Sequence, residues 1–168
     1  MEVNERSFGV VIAYIIPGWV LLMGLSYRFA SIEQWVSGTV SSSPTIGGFL
    51  YSTLASVGLG VLGSTLRWLV IDSLLHRVGV APPKMRFGQL KNRFEAMTLL
   101  VDGHYRYYQF HGNLLVALPI AISMRWLHQG FSLGELVTSL LVMALLFVGA
   151  RDSLLKYYRR TSELLAAK

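Results

Sequence analysis

Asp72, Glu95, Asp102, His104 and Asp152 are residue types that can ligate a metal ion, and the sequence gathers them around one central segment and the start of the tail. Their spacing matches no H-E-x-x-H pair and no EF-hand loop. Arg67, Arg77, Arg106 and Arg151 lie equally close along the chain, so the simpler expectation is ion pairs that fix helix ends. A second constellation is Arg106-Tyr107-Tyr108-Gln109-Phe110-His111, with an arginine five positions before a histidine. The chain has no cysteine, P-loop, dinucleotide fingerprint or G-x-S-x-G elbow. These absences lead to the expectation of no catalytic, cofactor-binding or metal-ligating residue, and hence of a non-enzymatic protein.

The R-x4-H spacing of Arg106 and His111 resembles the nuclease motif of HEPN-type ribonucleases, where Arg and His act on RNA across a dimer. That resemblance implies RNA cleavage at these two residues. The segment, however, abuts an apolar stretch where RNA has awkward access, and Tyr107, Tyr108 and Phe110 suit an interfacial aromatic belt. The net charge of +6 does not argue for nucleic acid either, because most basic residues flank apolar runs, where topology and anionic headgroups account for them. No nucleic acid partner is expected.

The elements that hold these residues follow from composition. Of 168 residues, 53% are apolar and 14% charged, against roughly 25% charged in an average soluble domain; mean hydropathy is +0.50. The chain reads as an all-α integral membrane protein. A span needs about 20 mostly apolar residues, and four runs qualify, at 7–27, 46–70, 107–126 and 131–150. The third has a short apolar core, Gly112 to Met124, and reaches length only with its aromatic flank. Ser37 to Pro44 reads as a turn cluster outside the spans. A cleaved leader is not expected, since Glu2, Glu5 and Arg6 make a poor basic start.

Lys and Arg set the orientation. The N-tail carries one, the segment Arg67 to His111 seven and the tail from Arg151 five, whereas the opposite connections carry only Arg28 and Arg125. Both termini, the loop 71–106 and the helical tail 151–168 are therefore expected in the cytoplasm, with 28–45 and 125–135 outside.

In the second span Gly48, Ser52, Ser56, Gly60 and Ser64 recur at every fourth position, a small-residue row that lets a neighbouring backbone approach. It suits packing within the chain, an oligomer contact or a pore lining. Pro17-Gly18 and Pro119 are candidate kinks. Asn113 is placed to hydrogen-bond across helices or to meet headgroup water. No acidic or basic residue falls at the middle of a span, which disfavours ion and proton pathways. In the cytoplasm, Lys84 to Phe110 repeats apolar residues at Phe87, Leu90, Phe94, Met97 and Val101, with Pro82-Pro83 as a helix entry and Asp102-Gly103 as a turn signal. Its basic residues Arg86, Lys91 and Arg93, with Arg159 and Arg160 of the tail, form a surface for anionic lipid or a partner.

The expected fold is a single membrane domain over 1–168, a four-helix transmembrane bundle with a small cytoplasmic helical layer. This plan is similar in architecture to small bacterial membrane subunits that work with a soluble companion, including the membrane component of Kiwa-type anti-phage systems. The leading expectation is an oligomeric scaffold or sensor in the plasma membrane, the inner membrane if bacterial, that docks a soluble cytoplasmic partner. The alternative is a homo-oligomeric channel or membrane-permeabilising effector. An enzyme acting on lipid or RNA comes third.

Overall fold

Long apolar runs offer their backbone groups few polar side-chain partners, so the chain satisfies those groups within itself by coiling. The structure, a computed structural model, describes residues 9, 11–40, 45–83, 88, 90 and 93–166, the side chains at 39 and 40 excepted; among them the long elements are all helical and no strand occurs. Five helices follow in order: α1 (Val11–Ser26), α2 (Ala30–Val40), α3 (Ile46–Arg77), α4 (Phe94–Gln129) and α5 (Leu133–Ala166). By length and composition α3, α4 and α5, of 32, 36 and 34 residues, can cross a membrane. Helix α1 is apolar but shorter: 5 residues of wide π-turn and 11 of α-helix. At 1.5 Å per residue that is about 24 Å.

The short helix is the centre of the arrangement. One side of α1 packs on α3 and the other on α4, α2 lies over α1 and α3, and α5 runs along α4. The contact between α1 and α3 is backbone to backbone. A Cβ placed on Gly18 would stand 1.8 Å from the Ser56 carbonyl oxygen, and one on Gly60 would stand 2.1 Å from that of Tyr14. On the other side, a Cβ on Gly24 would meet the Ala121 Cα at 2.4 Å. The serines of the row turn their hydroxyls onto their own helix: Ser52 donates to Gly48 O at 2.6 Å and Ser56 to Ser52 O at 2.7 Å. Their polar groups are thus satisfied at a buried apolar seam.

Ser64 leaves this line. Ser52, Ser56 and Gly60 are buried, but the buried face then continues through Gly63 and Arg67 while Ser64 is half-buried. Each step of four residues advances about 40° beyond a full turn, so a strict i+4 row winds away from a neighbour unless a step of three corrects it. Gly48 sits beyond the row's other end, against α2, where its Cβ would meet the Gly38 carbonyl carbon at 2.8 Å.

Pro17 marks where α1 changes from the wide turn Val11–Ile15 to regular α-helix. Proline has no N–H to donate to the carbonyl four residues back, Ala13 O. The Asn113 side-chain amide donates there instead, at 2.6 Å, so Asn113 bonds across helices. Pro119 lies inside α4, which continues through it.

Three expectations from the sequence need correction. Ser37 to Val40 is helical, because α2 covers that part of the expected turn cluster and rests on α3. Asp102-Gly103 is no turn: a wide helical turn, Val101–Tyr105, absorbs it within α4, and Asp102 pairs with Arg106 at 3.7 Å. The helix expected from Lys84 starts, among the described residues, only at Phe94, and Leu90 is not helical. Gly88 in that stretch has no side chain to pack and weakens a helix by about 1 kcal/mol. Arg86 and Lys91 lie outside the described residues.

The α1–α3 contact makes a direct test. Gly60→Leu forces a branched side chain into the Tyr14 backbone and should cost at least about 1–3 kcal/mol. Val57, off the small-residue row and 40% exposed, should tolerate Leu within about 0.5 kcal/mol. Thermal unfolding of the two variants in the same detergent reads the difference; equal midpoints would show that the seam does not hold the helices together.

Candidate functional site

The polar side chains that the fold gathers are centred on Arg67. Its side chain is 5% exposed and reaches Asp72 through Nη1 at 2.7 Å. In a regular α-helix, residues five apart point about 140° away from each other. Here the wide turn Trp68–Asp72 lies between them, and its slower winding, with i→i+5 bonding, brings both to one side. Tyr108, fully buried on α4, donates its hydroxyl to the same Asp72 oxygen. The Arg67 guanidinium lies over the Tyr108 ring, 4.9 Å from its centre, a cation–π placement that adds to the pairing. Gly112 makes the room: a Cβ there would stand 2.7 Å from Arg67 Cδ.

Around this triad the chain continues in hydrogen bonds. Gln109 donates to the Tyr14 hydroxyl at 2.9 Å and accepts from Arg106 at 3.3 Å, which ties α4 to α1. Below it, Ile71, Leu75, Val80, Tyr108, Leu115, Ala150, Leu154 and Tyr157 form the main apolar cluster. Tyr105 joins the two parts, its ring 5.8 Å from Tyr108 and 5.0 Å from Tyr157. Burial, and after it the Asp72 charge, pushes the Tyr158 hydroxyl up to about 12. Burial and Tyr105 raise Tyr157 as well.

His104 lies at the edge of this layer. Arg160 Nη1 donates to its Nε2 at 2.8 Å; a guanidinium only donates, so that nitrogen must carry a lone pair and the imidazole is neutral. Partial burial, then Arg160 and Lys156, lower the His104 pKa, with Asp152 opposing them.

The arrangement neutralises and positions its own members. The triad's cation, carboxylate and hydroxyl are turned on one another. Among the described residues no three His, Asp or Glu side chains come together as a metal set. Arg106 and His111 are not brought together within the chain. They stand about 140° apart around α4, Arg106 against Gly9 and His111 against Gly149 of α5. Of the arginines expected in such ion pairs, Arg67 pairs with Asp72 and Arg106 with Asp102, while Asp152 pairs with Lys156, which was not among the expected partners. Arg93 donates to Leu164 O and pins the end of α5, while Arg159 and Arg160 are exposed. Tyr108, expected in an interfacial belt, is instead a core residue, because its hydroxyl has the half-buried Asp72 carboxylate to meet; Tyr107 stays exposed.

Sequence reasoning named Arg67 and Asp72 only among many possible ion-pair members and missed Tyr108, Gly112 and Gln109 as their support. The available signal was Arg67 itself, a lone cation closing a 33-residue uncharged run. In comparison with known proteins, the chain matches no family model, no curated protein and no solved structure.

Two outcomes follow. Asp72→Asn leaves Arg67 buried without its counter-charge and should cost about 3–5 kcal/mol, whereas Tyr108→Phe removes one hydroxyl and should cost about 1–3 kcal/mol. Thermal unfolding ranks them, and the reverse order would show that Asp72 does not carry the triad. For His104 the folded pKa is below the unfolded value of 6.5, so the unfolded chain takes up the proton first. Its contribution is therefore intact above that value and is lost as pH falls through it toward the folded pKa. His104→Gln, whose amide oxygen accepts from Arg160 at any pH, should flatten the fall in unfolding midpoint between pH 7.5 and 5; an unchanged slope would clear His104 of that role.

Proposed function

We propose that the chain is a non-enzymatic multi-span membrane protein, a scaffold or sensor whose inner helical layer docks a soluble partner. The observation that carries this reading is α5. It is one helix of 34 residues with two unlike halves. From Leu133 to Gly149 no residue is buried, and Leu133, Val137, Leu140, Leu141, Leu145 and Val148 stand exposed. From Ala150 onward Leu154, Tyr157, Thr161 and Leu165 are buried against the rest of the chain. An apolar surface of that extent needs lipid or protein to cover it, and the bilayer is its natural solvent. The packed half then forms the cytoplasmic layer, rigidly continuous with the span.

On this reading α1 is the fourth span, both termini are cytoplasmic and α2 lies at the outer face. The Lys and Arg distribution supports that orientation. Phe94 and Leu99, 73% and 63% exposed on the layer, with Arg159 and Arg160 on the adjoining tail, make the docking surface. The channel reading drew on the small-residue row and the kinks, and the middle of that row, Ser56 and Gly60, lies against Gly18 and Tyr14 of the same chain.

The chain has no native cysteine, so single introduced thiols report topology cleanly. In sealed right-side-out vesicles, Gln34→Cys should react with an impermeant maleimide and Glu163→Cys only after permeabilisation. Glu163→Cys labelling in sealed vesicles would reverse the orientation. Phe94→Ser with Leu99→Ser should lose a soluble companion in gentle-detergent pull-downs without lowering the unfolding midpoint, and retention of the same companion would rule out this surface.

A further inference from the structure

The seam between α4 and α5 opens, toward its Arg125/Glu135 end, into a cleft of about 360 Å³ lined by Leu118, Ile122, Arg125, Glu135, Thr138 and Val142. Below that end α4 lines the cleft with Leu118 and Ile122, and on α5 the lining Thr138 and Ser139 turn their hydroxyls onto their own helix, at Gly134 O and Leu136 O, above Val142. Leu118 and Val142 each lie seven residues from the charged pair, about 10 Å along a helix. At the mouth, Arg125 Nη1 meets Glu135 Oε1 at 2.7 Å, with side chains 41% and 32% exposed. The pair is held in place on both sides: Arg125 Nε donates to Gln129 at 2.9 Å and Trp126 Nε1 donates to Glu135 Oε2 at 3.1 Å.

These bonds leave capacity of both signs at one point. The Arg125 Nη2 group has no hydrogen-bond partner among the described residues, and each Glu135 oxygen keeps a lone pair beyond its one bond. An anionic headgroup alone would face Glu135, and a cation alone would face Arg125. A head carrying a phosphate and a primary ammonium a few atoms apart satisfies both, with its acyl chain lying in the apolar cleft below.

We infer that the α4–α5 cleft is a site for a phospholipid with a zwitterionic, primary-amine headgroup, its phosphate on Arg125 and its ammonium on Glu135. This rests on the membrane reading above. A quaternary amine is excluded as an equal ligand because it has no N–H to donate to Glu135. Space for the chain is left in part by Gly134, beside which a Cβ would meet only the Ser132 hydroxyl, at 4.0 Å. A large side chain at that position can therefore occupy the cleft mouth without displacing the fold.

The test is native mass spectrometry of the full chain in mild detergent with dioleoyl phosphatidylethanolamine, phosphatidylcholine or phosphatidylglycerol added in turn. The ethanolamine lipid should be retained as a single copy about tenfold more tightly than either other, the worth of one charge-assisted hydrogen bond. Gly134→Trp should abolish retention of that copy, and Glu135→Gln should bring the ethanolamine and choline lipids to equal affinity. Equal retention of the three lipids by the wild type, or unchanged retention by Gly134→Trp, overturns the site. So does a dimer that excludes lipid and is broken by Gly134→Trp, since a second copy would then fill the cleft. Flotation of the same preparation with liposomes separates the two readings: a protein that does not float refutes the membrane assignment, and one that floats without lipid preference refutes only this site.

Discussion

One buried guanidinium governs the most densely packed end of this molecule. An arginine removed from water costs several kcal/mol unless a counter-charge and hydrogen bonds meet it, and Arg67 is 4% exposed. Its counter-charge, Asp72, sits five residues on, at a spacing that regular helix geometry turns away. The wide turn Trp68–Asp72 resolves that mismatch. Once the pair is formed, the Asp72 oxygen also accepts from a hydroxyl on another helix, and Tyr108 supplies it. The Arg67 stem then needs space against α4, and Gly112 supplies that. Four residues on two helices are thus fixed by one electrostatic requirement.

A second constraint, of the backbone rather than of charge, fixes α1 beside it. Pro17 removes a donor, so Ala13 O needs a partner from outside its helix, and Asn113 is held where it can provide one. Both requirements draw on the same stretch of α4, residues 108–113, where Tyr108, Gln109, Gly112 and Asn113 are all buried. The glycines of α1 and α3 allow α1 to come close enough for this bond. Helix–helix approach, carbonyl satisfaction and charge neutralisation are consequently met by neighbouring residues rather than by separate devices.

Much of this was legible in the sequence and some was not, for physical reasons. Charge-free runs announce α3 and α5 because desolvating charge is expensive, and the four-residue spacing of Ser52, Ser56 and Gly60 marks the face that α1 covers. Ser64 was misread into the same face because helical rotation accumulates. The α1 run reads as full length in sequence, yet its described helix is shorter than α3, α4 or α5. Helix α2 was hidden by its Ser, Gly and Thr content, since what stabilises it is contact with α3 rather than its own propensity. The Arg67–Asp72–Tyr108 triad was hidden more deeply. It depends on a local departure from α geometry and on a contact 36 residues distant, neither of which a spacing rule can register. Arg106 and His111, whose spacing resembles a nuclease motif, face different neighbours along α4, Gly9 and Gly149.

The same interactions are spread unevenly along the length of the bundle. The apolar cluster, the triad and the Asn113 bond all lie toward one end, while the half of α5 from Leu133 to Gly149 runs along α4 and has no buried residue. The apolar burial that holds α5 against the rest of the chain is therefore concentrated at Ala150 and beyond. Between the bare half and the packed half stand Gly149 and Ala150, where His111 approaches closely enough that a Cβ on Gly149 would meet its ring at 3.0 Å. The change from the bare to the packed half of α5 therefore falls where His111 of α4 faces Gly149, next to Ala150, the first buried residue of the helix.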